Sequence, residues 1–399
     1  MMDYVFSERI SGLKPSAIRE ILKYGSDPKM IAFSAGNPAP ESFPVSEMQL
    51  IASEIFETMP SSALQYGITE GYTPLREKIK ERLITKFNSV SQDDDVMVCS
   101  GGQQGIELTC KVLCNEHDTV LCEDPSFIGA LNAFRSYNVN LKGVKTDSEG
   151  IIIESLEEAL KTEKNVKFLY TIPTFHNPTG KTLSLERRKE IYRLACKYNI
   201  IILEDNPYGE LRFKGEDVAT IKSLDTEGRV IYCGSFSKIL SAGIRLGFVS
   251  ANKQVISKLT VAKQVSDVHT NQFFQILADK YIEKYDLDAH IAKIQALYRK
   301  KCALMRDGLI ASSAKIADKV SYTDPDGGLF MWAELPEGFD VLALANNLLK
   351  RYVAIVPGVA FAANPVVPVS AFRLNYSTPS DEQIITGSQI VGEEIAKLL

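Results

Sequence analysis

Between residues 95 and 235 the chain alternates short, β-rich apolar runs with longer helical patterns, and this rhythm restricts the available folds more than any other feature. DVMVCSGG (95–102) reads as a strand ending in a glycine turn. GQQGIELTCKVLCN (102–115) then reads as a helix with Ile106, Thr109, Cys110 and Leu113 on one side. TVLCED (119–124), VKFLYTIP (166–173), IIILED (200–205) and VIYCGS (230–235) read as strands. SFIGALNAFRSY (126–137) and SLERRKEIYRLACKYN (184–199) read as helices, the second capped by Ser184. Near-continuous Val, Ile and Leu in strands separated by helices predicts a parallel sheet covered on both faces. Ligands of such sheets gather at the carboxyl ends of the strands. Cys99–Gln103, Asp205 and Ser235–Lys238 all fall there. The last quarter differs: GGLFMWAEL (327–335) and SAFRLNYS (370–377) read as strands of a second, antiparallel α+β unit, closed by an amphipathic helix near 380–398. PSAIREILKYG (15–25) reads as an N-terminal helix.

At 399 residues the chain is too long for one simple core, so two domains are expected. A formal net charge of −5 offers nucleic acid or an anionic membrane no global attraction. The start carries no secretory pattern and no run is long enough to span a bilayer, so a cytoplasmic protein is expected. Seven cysteines lie in apolar segments without a CxxC pair, and the four histidines (117, 176, 269, 290) offer no zinc spacing. We expect reduced core cysteines and no metal.

GSFSKILSAGIRLG (234–247) sets one lysine, Lys238, beside two hydroxyls, Ser235 and Ser237, and follows it with Arg245 among three glycines. Lys238, desolvated at a strand end, suits an amine nucleophile that forms a Schiff base with an aldehyde, although most lysines are merely exposed. Ser235, Ser237 and Arg245 can donate to one dianion, or the serines can cap a tight turn. SGGQQG (100–105) is a second phosphate candidate, a glycine turn opening a helix. Asp205 needs a partner if buried, and a protonated ring nitrogen would serve; the rival is a cap on the NPYG turn. Tyr208 can donate to a ring hydroxylate or be a turn aromatic. Asn177, in PTFHNPTG (173–180), presents an amide from a proline-bracketed loop, or is a plain turn. Arg373, inside an apolar strand, would pair bidentately with a substrate carboxylate or form an internal salt bridge. Amine, phosphate cup, acid, phenolic-oxygen donors and carboxylate clamp together are what pyridoxal phosphate requires.

In this ordered set the chain resembles the class I/II aminotransferases of the pyridoxal-phosphate fold type I superfamily. The resemblance runs from SAGNPAPESFP (34–44) through LQYGITEGYTPLRE (64–77), SGGQQG, EDPSFIGA (123–130), HNPTG, EDNPYGEL, SFSKILSAGIRLG, GGLFMW and VPGVAF to FRLNYS. IREILKYG, AGNPAPESFP and LQYGITEGYTPLRE are similar to the 2-aminoadipate and kynurenine II-type branch. The resemblance implies an α/β, aspartate aminotransferase-like fold. Its large domain (45–290) would hold a mainly parallel seven-stranded sheet between helices; residues 1–44 and 291–399 would form the smaller α+β domain. It implies that Lys238 is the Schiff-base lysine, that Asp205 pairs the pyridinium nitrogen, and that Asn177 and Tyr208 bond the phenolic oxygen. Gly102, Gln103, Ser235, Ser237 and Arg245 would hold the phosphate, with Tyr66 reaching the site of a partner subunit in a homodimer. Phe127 would stack on the ring, Arg373 would take the substrate α-carboxylate, Gly36 would lie beside the substrate, and Arg19 could reach a distal carboxylate. Two departures stand out: Phe127 where tyrosine is common in the branch, and Gly102 where serine is frequent. The implied activity is transfer of an amino group between an L-amino acid (2-aminoadipate-like, aromatic or broad) and a 2-oxo acid, with 2-oxoglutarate/glutamate as one pair, by a ping-pong route. The same fold also serves carbon–sulfur β-lyases and cofactor-sensing domains of transcription factors; the latter fuse a DNA-binding domain, which is not expected here.

Overall fold

The computed structural model describes residues 4–11, 13 and 29–399. The helix expected at 15–25, with Arg19, lies outside the described residues. The first strand, β1 (Ile31–Ala32), pairs in parallel with a later two-residue strand, Val353–Ala354.

The alternating middle of the chain builds one sheet. Its strands are β2 (Asp94–Cys99), β3 (Thr119–Asp124), β4 (Asn140–Asp147), β5 (Gly150–Ile151), β6 (Val166–Thr171), β7 (Ile201–Asp205), β8 (Val230–Ser235) and β9 (Gly247–Asn252). Their order is β2-β9-β8-β7-β6-β3-β4-β5. Seven strands were expected; the eighth is β5, which only turns back antiparallel on β4 at the edge. The pairs of β3 with β4 and β6, β6 with β7, and β7 with β8 are parallel. The inner strands β3, β7 and β8 are almost wholly buried, as their apolar runs demand of a sheet covered on both faces, while β4 near the edge is mostly half-buried or exposed.

β9 is the exception that matters. It runs antiparallel to both β2 and β8, with Cys99 and Ser235 each opposite Gly247. Its beginning therefore lies where its neighbours end. Arg245, two residues before Gly247, is thereby delivered to the edge that carries Gly101–Gln103, Asp205 and Ser235–Lys238.

The helices follow the expected spacing with shorter ends: Gly102–Leu113, Ile128–Arg135 and Leu185–Tyr198. Ser184 caps the last, accepting from Arg187 N. After the long helix Leu287–Ser312 comes an antiparallel sheet of β10 (Ser321–Tyr322), β11 (Phe330–Glu334), β13 (Val356–Pro357) and β14 (Ala371–Asn375), in the order β10-β11-β14-β13, where β12 denotes Val353–Ala354. The helix Asp381–Leu398, with a complete capping box at Ser380 and Gln383, packs against Leu287–Ser312. Arg373 sits mid-strand in β14, opposite Trp332 on one side and Val356 on the other. Among the described residues no helix is long and apolar enough to cross a membrane, and no cluster of His, Cys, Asp and Glu could hold a metal. All seven cysteines are free.

Candidate active site

The turn after β8 carries the amine. Phe236, Ile239 and Leu240 are buried and pin the turn, with Phe236 N bonded to Leu246 O and Leu240 N to Phe236 O. Lys238 is left to project into the polar edge, where Nζ donates to the Gly36 carbonyl at 2.7 Å. Burial lowers its pKa to about 8, helped by the positive charges of Arg373 and Arg245. The amine thus has a far larger neutral, nucleophilic fraction near physiological pH than an ordinary lysine.

Asp205 ends β7 and is buried. Its Oδ2 accepts from the Tyr170 hydroxyl at 2.7 Å. It does not cap the following turn, which closes instead through Leu211 N to Tyr208 O. Among the described residues no cation pairs with it. Burial raises its pKa to about 7; the Tyr170 bond opposes the rise and the nearby Glu123 adds to it. A buried carboxylate with no cation of its own is matched by the charge of a pyridinium. Tyr208 is buried too, and burial and then Asp205 push its pKa up, so its hydroxyl stays a donor.

The PTFHNPTG loop is held from below by Arg188, a fully buried arginine spent on the chain itself. Its Nη2 donates to Pro173 O at 2.8 Å and to Thr174 Oγ1 at 2.9 Å. His176 bonds Thr179 through Nδ1 at 2.9 Å and lies 3.2 Å from Glu123. Asn177, fixed between them, donates weakly to Tyr208 OH at 3.4 Å and accepts from Arg373 Nη1 at 2.9 Å.

Arg373 closes the cluster. Nη2 donates to the carbonyls of Ser34 (2.9 Å) and Ala35 (3.2 Å), beside Gly36. The guanidinium lies over the rings of Phe330 (4.2 Å) and Phe361 (5.0 Å). Its partners are neutral oxygens; no carboxylate reaches it among the described residues, so the rival internal salt bridge is not formed. Nε is buried and unpartnered. Burial lowers the pKa to about 10, so the group is still charged at neutral pH. A desolvated cation with an idle donor is chemically suited to a carboxylate.

A third group of residues forms a cradle at the same edge. Gly101 has φ +82°, and a Cβ there would collide with the Arg245 guanidinium, so only glycine lets the two approach. Gly102 begins the helix Gly102–Leu113, which no side chain caps. The free amides of its first turn make that end of the helix suited to an anion. Ser237 N donates to Ser235 Oγ at 3.1 Å, which folds both serines into one turn. Gln103 donates to Gly129 O at 2.9 Å, next to the Phe127 ring. The segment behind Phe127 is fastened to the second sheet's loop: Ser126 N bonds Phe361 O, and Ala363 N bonds Asp124 Oδ1 at 3.1 Å.

The structure therefore gathers Gly36, Gly102, Gln103, Phe127, Asn177, Asp205, Tyr208, Ser235, Ser237, Lys238, Arg245 and Arg373 at one strand-end edge. Tyr66 does not join them within the chain; it is 82% exposed, with its ring edge-on to His269. Arg19 lies outside the described residues. Sequence reasoning missed Tyr170, Arg188 and the two phenylalanines under Arg373. Tyr170 was marked only by its place near the end of a mostly apolar strand. The donors match pyridoxal phosphate group by group: cradle for phosphate, uncompensated acid for ring nitrogen, two donors for the phenolic oxygen, and an amine of lowered pKa for the aldehyde.

Comparison with known proteins agrees. The family model "Aminotransferase class I and II" matches residues 28–387. Aromatic-amino-acid aminotransferase 1 of Thermococcus litoralis is 42% identical, over 99% of this chain and 95% of its own length. The 2-aminoadipate transaminase of Thermus thermophilus is 36% identical over 99% and 97%. Among solved structures, Pyrococcus horikoshii kynurenine aminotransferase, in complex with PMP, superposes with a TM-score of 0.94 at 39% identity, covering 99% and 97% of the two chains. The chain belongs to the class I and II aminotransferases, and is a pyridoxal-phosphate-dependent aminotransferase of fold type I.

Proposed function

We propose that the protein moves an amino group between an L-amino acid with an aromatic or 2-aminoadipate-like side chain and a 2-oxo acid, with 2-oxoglutarate and glutamate as one pair, in two half-reactions through one site. The observation that carries this reading is Arg373: a buried cation bonded only to neutral oxygens, with Nε idle, at the same edge as the partly buried Lys238 amine. The names of the relatives support the side-chain class.

Pyridoxal phosphate, when bound, supplies an aldehyde carbon and an electron-accepting ring. Lys238, Ser235, Ser237, Arg245, Gly102 and Gln103 would hold it at its two ends, with Phe127 against its ring. Asp205 would keep a proton on the ring nitrogen, and Asn177 and Tyr208 would donate to the phenolic oxygen. Arg373 binds the substrate α-carboxylate as a fork, beside Asn177 and the Gly36 backbone, and so orients the Cα–H bond. Lys238 Nζ takes the Cα proton as general base and later returns it as acid, which its pKa of about 8 permits in both directions. The domain division 45–290 against 1–44 with 291–399 would place Lys238 and Asp205 on one body and Arg373 on the other. A homodimer in which the exposed Tyr66 serves the partner's phosphate completes the reading, as does Arg19 for a distal carboxylate.

A panel of amino donors tests it. Each is added to the holoenzyme without acceptor, and loss of the cofactor's visible absorbance is followed. Aromatic amino acids, 2-aminoadipate and glutamate should react, with absorbance restored by 2-oxoglutarate. A response to none of these, or release of pyruvate and ammonia from cystathionine without an oxo acid, refutes the assignment.

A further inference from the structure

Tyr170 is assigned no role in the function proposed above. It lies in β6 between Cys122 of β3 and Leu203 of β7, with no exposed surface. Phe134 abuts its ring edge-on at 5.4 Å. A hydroxyl buried so deeply needs a partner, and it finds one: Asp205 Oδ2 at 2.7 Å. This is the short distance of a hydroxyl donating to a carboxylate. Burial and Asp205 itself hold the Tyr170 pKa well above its ordinary value, so the hydroxyl keeps its proton and remains a donor at any working pH.

The charges that face Asp205 make this bond consequential. Glu123 from β3 disfavours the carboxylate, Cys233 from β8 and Tyr208 from the following turn are neutral, and burial opposes ionisation. Before the cofactor arrives, Tyr170 is the one hydrogen-bond donor the structure gives the Asp205 side chain among the described residues. A bond to one oxygen also stops the carboxylate from rotating and leaves Oδ1 as the free acceptor.

We propose that Tyr170 is a positioning residue, whose hydroxyl ties down Asp205 Oδ2 and favours the charged carboxylate that is to pair with the ring nitrogen. This inference rests on the reading of Asp205 as that pairing acid. Tyr170 acts through Asp205 and touches neither cofactor nor substrate.

The test is a double-mutant cycle on cofactor affinity. Apoprotein is titrated with pyridoxal phosphate, by absorbance, from pH 5.5 to 9, for wild type, Tyr170→Phe, Asp205→Asn and the double variant. Phenylalanine keeps the ring and its packing on Phe134 and removes only the hydroxyl. At neutral pH Tyr170→Phe should weaken binding about tenfold to a hundredfold, the usual consequence of deleting a buried bond to a charged group. The midpoint of its affinity–pH profile should move upward, because Asp205 loses its carboxylate-stabilising donor. In the Asp205→Asn background the same change should cost less than about twofold. An equal loss in both backgrounds, or an unmoved midpoint, overturns the inference and leaves Tyr170 a packing residue. Asp205→Asn protein that binds like wild type overturns the assignment of Asp205 and the inference with it. Should Tyr170→Phe alone prove unfolded by circular dichroism while the double variant folds, an uncompensated Asp205 is the cause and the coupling stands; if both are unfolded, the damage is to packing and the inference falls.

Discussion

Lys238 can be interrogated before any turnover is measured. A lysine with an ordinary pKa of 10.5 is neutral in roughly one molecule in 3,000 at pH 7, whereas at about 8 roughly one in eleven is neutral. The site thus raises the nucleophilic fraction about 300-fold, through burial first and then repulsion from Arg373 and Arg245. Competitive labelling of the apoprotein with trace acetic anhydride, read by mass spectrometry on the peptide holding Lys238, measures this directly. Labelling should rise with unit slope from pH 6 and level off near 8, while exposed lysines continue to rise beyond 10. The Arg373→Gln protein removes the second-largest cause, so its midpoint should lie higher. A midpoint at the ordinary lysine value would refute the claim that the fold prepares the amine. A normal low midpoint that Arg373→Gln leaves in place would refute the part assigned to the arginine.

Arg373→Lys keeps the charge but loses the planar fork, so kcat/KM for amino acids should fall about a hundredfold with the bound cofactor's spectrum unchanged; steady-state kinetics beside absorbance decides. Asp205 holds in the folded apoprotein a proton that the unfolded chain releases above the ordinary carboxyl value of 3.8, and keeps it until about pH 7. The folded state binds more protons in that window, so apoprotein stability should fall as pH rises from 4 to 7, by up to about 4 kcal/mol. Urea denaturation of apoprotein should show this slope and its loss in Asp205→Asn. At Gly102 a Cβ would meet nothing nearer than Cys233 Sγ at 3.6 Å, so Gly102→Ser should fold normally and add a donor at the helix start. Pyridoxal phosphate should then dissociate several-fold more slowly, as measured by trapping the released cofactor.

Sequence alone determined much of this protein. The strand–helix rhythm specified a parallel sheet, because strands buried on both faces must be aliphatic throughout and helices must cover them. It also put Lys238, Asp205 and the glycine turn of Gly101–Gln103 at strand ends, since the chemistry of each stands out in its local run. Tertiary structure alone decided what those groups experience. Only the reversed direction of β9 brings Arg245 back to the edge where β2 and β8 finish. Only the packing of β14 shows that Arg373 is met by carbonyls, an amide and two phenylalanine rings instead of an acid. Tyr170 and Asp205 are 35 residues apart and look like ordinary members of two strands until β6 and β7 lie side by side. The physical reason is one of range: backbone pattern is set by neighbours a few residues away, whereas desolvation and charge are set by whatever the fold places within a few ångströms.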